Sequence, residues 1–266
     1  MSRVALVTGA SRGIGAAVAE RLAADGWHVA VAARTEDDLA RVASAANALS
    51  ITADVTDANA VAAAVDSVES QLGAVTLLVN NAGTGGDGGP TWEKEPAAWW
   101  RVFEVNVLGA FHCARAVLPG MCARGSGRIV NVASNAAFFE LGDDWNAQID
   151  SAYQASKAAL VRLTEALAAE ARSYGVQVFA ISPGMVKTSM TEDVFADIWD
   201  DPDVWSPPER AADLVAFLAS GALDRLTGRY IHAATDAWEE MPGRAGAIVD
   251  GDLHALRLRT ARLIDT

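Results

Sequence analysis

The strongest constraint on the fold is a regular alternation along the whole chain. Short runs rich in β-branched residues alternate with longer Ala- and Leu-rich segments of helical period. The strand-like runs are residues 4–8, 29–33, 50–54, 76–80, 128–133 and 176–181. They are apolar on both faces, and the segments between them are long enough for crossover helices. The sequence therefore predicts the α/β class: a doubly wound parallel sheet between two helix layers, in a three-layer sandwich.

Length and charge limit the number of domains and the classes of binding partner that the chain can have. With 266 residues and 51% apolar content the chain can bury one large core. Because no low-complexity linker divides it, we expect a single domain over residues 1–266. The 34 acidic residues exceed the 21 basic ones and leave a formal charge of -13, which repels phosphate backbones and anionic lipids. We therefore expect neither nucleic-acid nor membrane partners.

Cysteine usage and the first residues bear on the compartment. The two cysteines, Cys113 and Cys122, have neither metal-ligand spacing nor further pairs for a disulfide framework, so we expect no metal site. A strand-like run that begins at Val4 leaves no room for a signal peptide. No apolar stretch approaches the length of a membrane span. The expected compartment is the reducing cytoplasm.

A glycine-rich turn follows the first predicted strand and precedes a helix. It contains Gly9, Ser11, Arg12, Gly13 and Ile14. Glycines allow a tight turn and a close backbone approach to a pyrophosphate, while the N–H groups at the start of the helix face the anion. We therefore assign these residues to dinucleotide binding. The alternative is a β-to-α turn that holds no ligand.

The end of the second strand distinguishes NADP from NAD. An acidic side chain there binds the ribose 2′-hydroxyl of NAD, whereas an arginine accepts the 2′-phosphate of NADP. This chain has Ala33 followed by Arg34, and Arg34 and Arg12 can form fork-like hydrogen bonds to a phosphate. NADP (NADPH when reduced) is therefore the preferred cofactor and NAD the alternative. We interpret the acids at residues 36–38 as the first turn of a helix that Thr35 caps.

A tyrosine and a lysine are placed one helical turn apart. Tyr153 and Lys157 begin an Ala- and Leu-periodic segment that runs to about Tyr174. A phenol has a pKa of about 10, and lowering it to near 7 requires roughly 4 kcal/mol. An ammonium about 4 Å away supplies roughly that energy at an effective dielectric constant of about 20. We therefore predict that Lys157 lowers the pKa of Tyr153; the alternative is a chance pair on a helix surface.

These motifs together resemble the short-chain dehydrogenase/reductase family over nearly the whole chain. The glycine turn is similar to the family's cofactor turn, and residues 80–83, Asn-Asn-Ala-Gly, to its fourth-strand motif. The resemblance implies a Rossmann-type fold. It also implies four catalytic residues, which are Asn106, Ser134, Tyr153 and Lys157.

The resemblance gives each of these residues a role. Ser134 would hydrogen-bond the substrate oxygen and Tyr153 would exchange its proton. Lys157 would also hold the nicotinamide ribose, and Asn106 would support a water relay. From the residues alone, a capping serine and a helix-surface amide are the structural alternatives for Ser134 and Asn106.

The same resemblance implies further cofactor contacts. Asp54 and Val55 would lie on the adenine side, although a simple strand end is the alternative there. The remaining contacts implied are Asn81, Ala82, Gly83, Pro183, Gly184, Val186 and Thr188.

Two loops depart from the family pattern. Residues 135–152 are longer than expected, and our hypothesis is a substrate wall that includes Phe138 and Trp145; an ordinary surface insertion is the alternative. A variable substrate lid is expected at about residues 189–208, including Trp199. We interpret the acids of the lid as a solvated face rather than as a site for a cationic substrate.

The C-terminal tail, at about residues 236–266, also departs from the family. Leu253, Leu256 and Leu263 recur at helical spacing, which predicts a helix over about 250–264 that packs on its own domain or on a partner.

These features predict an oxidoreductase that transfers a hydride between NADP(H) and a ketone or secondary alcohol. The aromatic residues of the lid favour an apolar or ring-bearing small molecule. Two alternatives remain: an imine or activated-alkene reductase on the same scaffold, and a non-catalytic NADP-binding regulatory protein.

The resemblance also implies assembly as a homodimer or homotetramer through the helices that carry Asn106 and Tyr153. The second of these has a small-residue face that permits close packing. Size-exclusion chromatography with light scattering should therefore give at least twice the chain mass of 27.8 kDa. A single species at the chain mass would contradict this expectation.

Overall fold

The order of the strands explains where a ligand can enter. The computed structural model describes residues 3–139, 149–192 and 194–257. Its strands are β1 Val4–Thr8, β2 His28–Ala33, β3 Leu49–Thr52, β4 Leu77–Asn80, β5 Gly127–Val132, β6 Val176–Ser182 and β7 Tyr230–His232. They form one parallel sheet in the order β3-β2-β1-β4-β5-β6-β7. The connectivity reverses between β1 and β4, and the crevice at such a point is where open α/β sheets bind ligands.

Helices cover both faces of this sheet. They are α1 Gly13–Ala24, α2 Glu36–Ala45, α3 Ala58–Leu72, α4 Pro96–Phe103, α5 Gly109–Arg124, α6 Ser151–Ala171, α7 Pro208–Ala219 and α8 Met241–Asp250. Helices α1, α2, α7 and α8 bury Leu22, Leu39 and Leu214 against one face. Helices α3, α5 and α6 bury Val65 and Val117 against the other. The predicted three-layer α/β sandwich is confirmed.

The predicted strands all form, with ends shifted by at most two residues. The expectation that every strand is apolar on both faces is wrong for β3. Its residues alternate between partly buried and exposed, because β3 lies at the edge of the sheet. Only one of its faces is therefore covered well by helices.

The predicted helix at residues 250–264 is wrong in the part that the structure describes. Helix α8 ends at Asp250, and positive φ angles at Asp252 (49°) and His254 (57°) keep the following residues out of a helix. The segment 252–257 instead packs on its own domain, where His254 O accepts the Tyr230 N–H (2.8 Å) and a Glu165 carboxylate oxygen accepts the Leu256 N–H (3.0 Å). Residues 258–266 lie outside the described residues.

The expectation about membrane-spanning length also needs correction. Helices α4 and α5 are joined by a π-helical turn, Glu104–Leu108, into one segment, Pro96–Arg124, that is long and apolar enough to cross a membrane by length and composition. Cys113, Val117 and Met121 from this segment are buried in the core against the sheet. Core helices of soluble proteins satisfy the same criterion, so this one is weak evidence for a span.

A buried chain of polar side chains fixes α6 against the sheet. Asn80 Nδ2 on β4 donates to Asn131 Oδ1 on β5 (2.9 Å), and Asn131 Nδ2 donates to Thr164 Oγ1 on α6 (2.9 Å). Hydrogen bonds between buried polar groups are directional and costly to leave unmade. The chain thereby attaches the part of α6 around Thr164 to β4 and β5.

Candidate active site

The glycine turn after β1 is attached to the end of β4 by side-chain hydrogen bonds. Thr8 Oγ1 accepts the N–H groups of Asn81 (3.1 Å) and Ala82 (3.2 Å). In return, Asn81 Nδ2 donates to the carbonyl oxygens of Thr8 and Gly9, both at 3.0 Å. The two segments that flank the reversal point are thus joined, and Asn81 and Ala82 lie against the turn.

The close contact between these segments requires glycine. Gly9 has a φ of +62°, and a Cβ there would lie 2.6 Å from Ala82 Cα. A Cβ at Gly15 would lie 2.5 Å from Asn81 Nδ2. Helix α1 then begins at Gly13 with Arg12 at the N-cap and no side-chain hydrogen bond from that residue. The first N–H groups of α1 are therefore available to an anion, so the site fits a pyrophosphate.

The segment after β6 closes the opposite side of this groove. A Cβ at Gly13 would lie 3.3 Å from Thr188 Cγ2, which places Thr188 against the glycine turn. Thr191, which the sequence analysis did not select, holds this segment in place. Its hydroxyl accepts the Thr188 N–H (2.9 Å) and donates to Val186 O (2.9 Å). Gly184 has a φ of +85°, and a Cβ there would lie 2.6 Å from Ser206 Oγ, so the backbone at this position also needs glycine.

On the predicted adenine side, Asp54 is held as a carboxylate. Its Oδ1 accepts the N–H (2.9 Å) and the hydroxyl (2.8 Å) of Thr56, and its Oδ2 lies 3.3 Å from Arg101. Burial raises the pKa of Asp54, but the Thr56 hydrogen bonds and the charges of Arg101 and Arg34 outweigh it, so the pKa is lowered. Arg101 was missed because it is far from Asp54 in sequence. Neighbouring Val55 packs on Gly109, where a Cβ would lie 2.6 Å from Val55 Cγ2.

The end of β2 presents the predicted arginine to solvent. Arg34 and Arg12 are both exposed, beyond the carboxyl ends of β2 and β1. Helix α2 begins at Glu36 with Thr35 at the N-cap, as predicted. The predicted cap by the Thr35 side chain is absent, because that side chain makes no hydrogen bond to the helix. The acids of the first turn themselves complement the helix dipole.

The structure brings the predicted catalytic side chains together at the start of α6. The hydroxyl of Ser134 lies beside the phenol of Tyr153 and opposes the rise in its pKa that burial causes. Lys157 Nζ lies 5.5 Å from the centroid of the Tyr153 ring and donates to Val132 O (2.8 Å). Ser134 also caps the short 3-10 helix Asn135–Phe138 by accepting the Ala136 N–H (3.2 Å). The capping role and the contact with Tyr153 are therefore compatible.

The predicted net lowering of the Tyr153 pKa is wrong in this geometry. Burial raises the pKa of Tyr153, and the Ser134 hydrogen bond only partly opposes it. Burial also lowers the pKa of Lys157 to about 8. The prediction counted only the attraction between ammonium and phenolate, whereas desolvation disfavours both charged forms. At neutral pH the phenol is therefore protonated and able to donate.

Asn106 is not a helix-surface amide. It is buried within the π-helical turn, where its Oδ1 accepts the Thr84 N–H (2.8 Å) and its Nδ2 donates to Thr84 O (3.0 Å) and Ser156 Oγ (3.0 Å). Such π-helical turns are frequent at functional sites. A Cβ at Gly83 would meet Asn106 Oδ1 at 3.2 Å and Lys157 Nζ at 3.6 Å, so Asn106 and Lys157 both border Gly83.

Two of the three predicted substrate residues are described. Phe138 packs edge-on against Tyr230, with ring centroids 4.7 Å apart. Trp199 packs against Trp205 (5.0 Å), and Lys187 Nζ lies 5.0 Å from the centroid of the Trp199 ring. Trp145 lies outside the described residues. The sequence analysis missed Tyr230, a buried phenol whose pKa burial raises.

The acids of the lid are on the solvated side, as interpreted from the sequence. The exposed ones among the described residues are Glu192, Asp197, Asp200, Asp201 and Asp203. Asp193 lies outside the described residues.

Comparisons with known proteins agree with this geometry. The family model for short chain dehydrogenase matches residues 3–199. A cis-4-hydroxycyclohexanecarboxylate dehydrogenase of Sinomonas cyclohexanicum is 38% identical over 236 residues, which cover 85% of this chain and 92% of the relative. A 3-oxoacyl-(acyl-carrier-protein) reductase of Staphylococcus aureus is 35% identical over 244 residues, which cover 87% of this chain and 96% of the relative.

Solved structures give the same result. A variant of actinorhodin polyketide ketoreductase with NADPH superposes with a TM-score of 0.79 at 34% identity. The match covers 87% of this chain and 95% of that structure. The three relatives are thus a dehydrogenase, a reductase and a ketoreductase.

The burial of Lys157 predicts a pH dependence of stability. Its pKa falls from 10.5 to about 8 on folding, which corresponds to roughly 3 kcal/mol of destabilisation at neutral pH. Between these values the unfolded chain holds a proton that the folded chain has lost, so stability rises with pH. In urea unfolding, the free energy of unfolding of wild type relative to Lys157→Met should rise by roughly 2 kcal/mol between about pH 7 and pH 9.5. Exposed Lys187→Met is the control, and a wild-type difference that stays flat or falls with pH would contradict this account.

Proposed function

Since the chain belongs to the short-chain dehydrogenase family and is an oxidoreductase of that family, we propose that it interconverts a ketone and a secondary alcohol with NADP(H). One observation carries the proposal. The phenol of Tyr153, the hydroxyl of Ser134 and the ammonium of Lys157 lie together at the carboxyl end of β5, beside the crevice of the sheet.

The groove that flanks this cluster fits a nicotinamide dinucleotide. The glycines at 9, 13 and 15 let the turn pack closely on the segments after β4 and β6, and α1 begins at this turn with its first N–H groups available to an anion. Asp54 and Val55 would contact the adenine side, and Val186 and Thr188 the nicotinamide side. When bound, the cofactor supplies or accepts the hydride at the substrate carbon.

The chain's own residues perform the proton half of the reaction. Ser134 and Tyr153 present two hydroxyl groups to one carbonyl oxygen, which orients and polarises it. As the carbon gains the hydride, the carbonyl oxygen takes the Tyr153 proton and becomes a hydroxyl. The neighbouring Lys157 stabilises the resulting phenolate. Alcohol oxidation is the reverse, with the phenolate accepting the proton.

The choice of NADP rests on charge at the end of β2. Arg34 is exposed where the adenosine ribose would lie, and Ala33 provides no carboxylate to bind a 2′-hydroxyl. Arg12, at the N-cap of α1, adds a second guanidinium beyond the neighbouring strand. Both can bind a 2′-phosphate through charge-assisted hydrogen bonds.

An apolar or ring-bearing substrate is supported by aromatic side chains beside Ser134 and in the lid. Phe138 follows Ser134 within one short helix and is held by Tyr230. Trp199 in the lid is held by Trp205 and Lys187. Packed aromatic rings offer rigid apolar walls to a small molecule.

The reaction is tested with Tyr153→Phe, which removes the proton donor and keeps the ring. With NADPH and a panel of cyclic and short acyclic ketones, we expect kcat to fall by about 10² to 10⁴ while NADPH binding is retained. Exposed Tyr174→Phe, in the short 3-10 helix that follows α6, is the matched control.

Two results would count against the proposed reaction. Unchanged turnover in Tyr153→Phe would remove Tyr153 as the proton donor, and a wild-type preference for acyclic ketones would remove the ring-bearing substrate. Nucleotide binding without turnover on any ketone, alcohol or imine would favour a regulatory protein.

Cofactor choice is tested by titrating NADPH and NADH against the intrinsic fluorescence of the eight tryptophans. Arg34→Ala should weaken NADPH binding by about 10- to 100-fold, because a hydrogen bond to a charged group contributes roughly 1.5 to 3 kcal/mol. NADH binding should change little. Arg41→Ala, an exposed arginine of α2 paired with Asp38, is the control, and tighter binding of NADH by wild type would overturn the assignment.

A further inference from the structure

The segment between β4 and α4, residues 84–95, is fastened to the catalytic machinery at both ends. At its start, Thr84 makes two backbone hydrogen bonds to the Asn106 side chain. Near its end, Lys94 forms an ion pair with Asp150, the residue that directly precedes α6. The first attachment uses a predicted catalytic residue. The second uses two residues to which neither the sequence motifs nor the proposed reaction gives a role.

The Lys94–Asp150 pair is buried. The two side chains are 9% and 4% exposed, and the Lys94 ammonium also donates to Gly88 O within the same segment. Most surface ion pairs contribute little, whereas removing one partner of a buried pair leaves an uncompensated charge in the interior. The pair therefore constrains the local geometry more strongly than a surface pair would.

Asp150 uses its second carboxylate oxygen to cap the catalytic helix. Its Oδ1 accepts the Ala152 N–H at 2.7 Å, in the first turn of α6, directly before Tyr153. A Cβ at Gly86 would lie 2.7 Å from the Asp150 carboxylate, so the glycine-rich part of the segment packs on this group. One carboxylate thus joins Lys94, the 84–95 segment and the N-terminal turn that carries Tyr153.

A neighbouring residue reinforces the same junction. Ser151 Oγ accepts the Thr91 hydroxyl (2.8 Å) and the indole N–H of Trp99 (3.2 Å). Trp99 therefore anchors α4 to α6. By contrast, Trp92 and Trp100 are exposed.

The segment also contacts the lid and borders a cavity. A Cβ at Gly85 would lie 3.1 Å from Met190 Cγ, so the segment lies between the lid and α6. A cavity of about 340 Å³ is lined by residues of this junction, among them Gly86, Pro90, Trp99 and Asp150. A displacement of the segment would therefore move both a cavity wall and the first turn of α6.

We propose that Lys94 and Asp150 are a positioning pair for the catalytic tyrosine. The pair holds the 84–95 segment against the first turn of α6 and so fixes Tyr153 relative to a bound carbonyl group. This role rests on the proposed function of Tyr153. Neither residue contacts the glycine turn, Arg34 or Asp54, so the pair acts on turnover rather than on nucleotide affinity.

The test separates turnover from binding. Lys94→Gln removes the charge, and Asp150→Asn keeps an oxygen for the helix cap while removing the charge. Each should lower kcat by about tenfold or more, because small displacements of a catalytic group have effects of that size or larger. The Kd for NADPH, measured by fluorescence, should stay within about twofold. Lys94→Arg, which retains the charge, should recover most of the lost kcat.

A matched control removes an ion pair elsewhere. Arg244 and Glu240 form an exposed pair on α8, with 71% and 62% of their side chains exposed. Arg244→Gln should leave kcat unchanged. A purely structural role for Lys94 predicts fewer folded molecules, as counted by NADPH stoichiometry, with normal turnover in each. That result would overturn the proposal.

A second readout does not require turnover. Hydrogen exchange should accelerate at residues 84–95 and at 150–157 together in Lys94→Gln, and stay at the wild-type rate at residues 9–24. If wild type proves inactive on every ketone, the proposed function fails, while coupled exchange would still support the junction. Exchange that accelerates in only one of the two segments, or in neither, would overturn the pairing itself.

Discussion

The hydrogen bonds between Asn81 and the β1 turn are the constraint on which the rest of the site depends. They join the carboxyl ends of β1 and β4, between which the order of the strands reverses. Each Asn81 Nδ2 contact is 3.0 Å long. A single amide satisfies two carbonyl oxygens of the turn, and the Thr8 hydroxyl satisfies two N–H groups from the other side. Because the turn's carbonyls are paired in this way, the N–H groups at the start of α1 remain directed toward the crevice.

The site also shows how a buried core accommodates polar chemistry. Asn106, Ser156 and Lys157 are each at most 4% exposed, yet each has a hydrogen-bond partner. Polar groups in such positions stabilise less than apolar ones of the same volume, and they are retained where activity requires them. The apolar layers on both faces of the sheet offset this cost. The lysine, whose pKa is lowered by burial, is the clearest example.

Local patterns were enough to predict the architecture, because strands covered on both faces and helices with one apolar stripe have distinct periods. The glycine turn was also readable, since its glycines follow a strand and open a helix. The family resemblance pointed to Ser134 and Asn106 as site residues, but it did not predict which residues they contact. Arg101, Thr191 and Lys94 were missed because what they contact is decided by packing between distant segments. The direction of the Tyr153 pKa shift was wrong because the helical spacing gives the distance to Lys157 but not the loss of solvent. The helix predicted in the tail was wrong because leucine spacing does not reveal the positive φ angles at Asp252 and His254.

The short tail segment that follows α8 has a consequence for how copies of the chain can associate. A strand at the border of a sheet presents unpaired backbone groups that can recruit a strand from another molecule. At β7 the Tyr230 N–H is already bonded to His254 O, and the His254 imidazole lies 3.0 Å from Tyr230 O. Ion pairs of Asp252 with Arg229 and Arg257 keep this segment in place. Continuation of the sheet into a neighbouring molecule at β7 would first require the tail to detach, so the tail works as a built-in cover of this sheet edge.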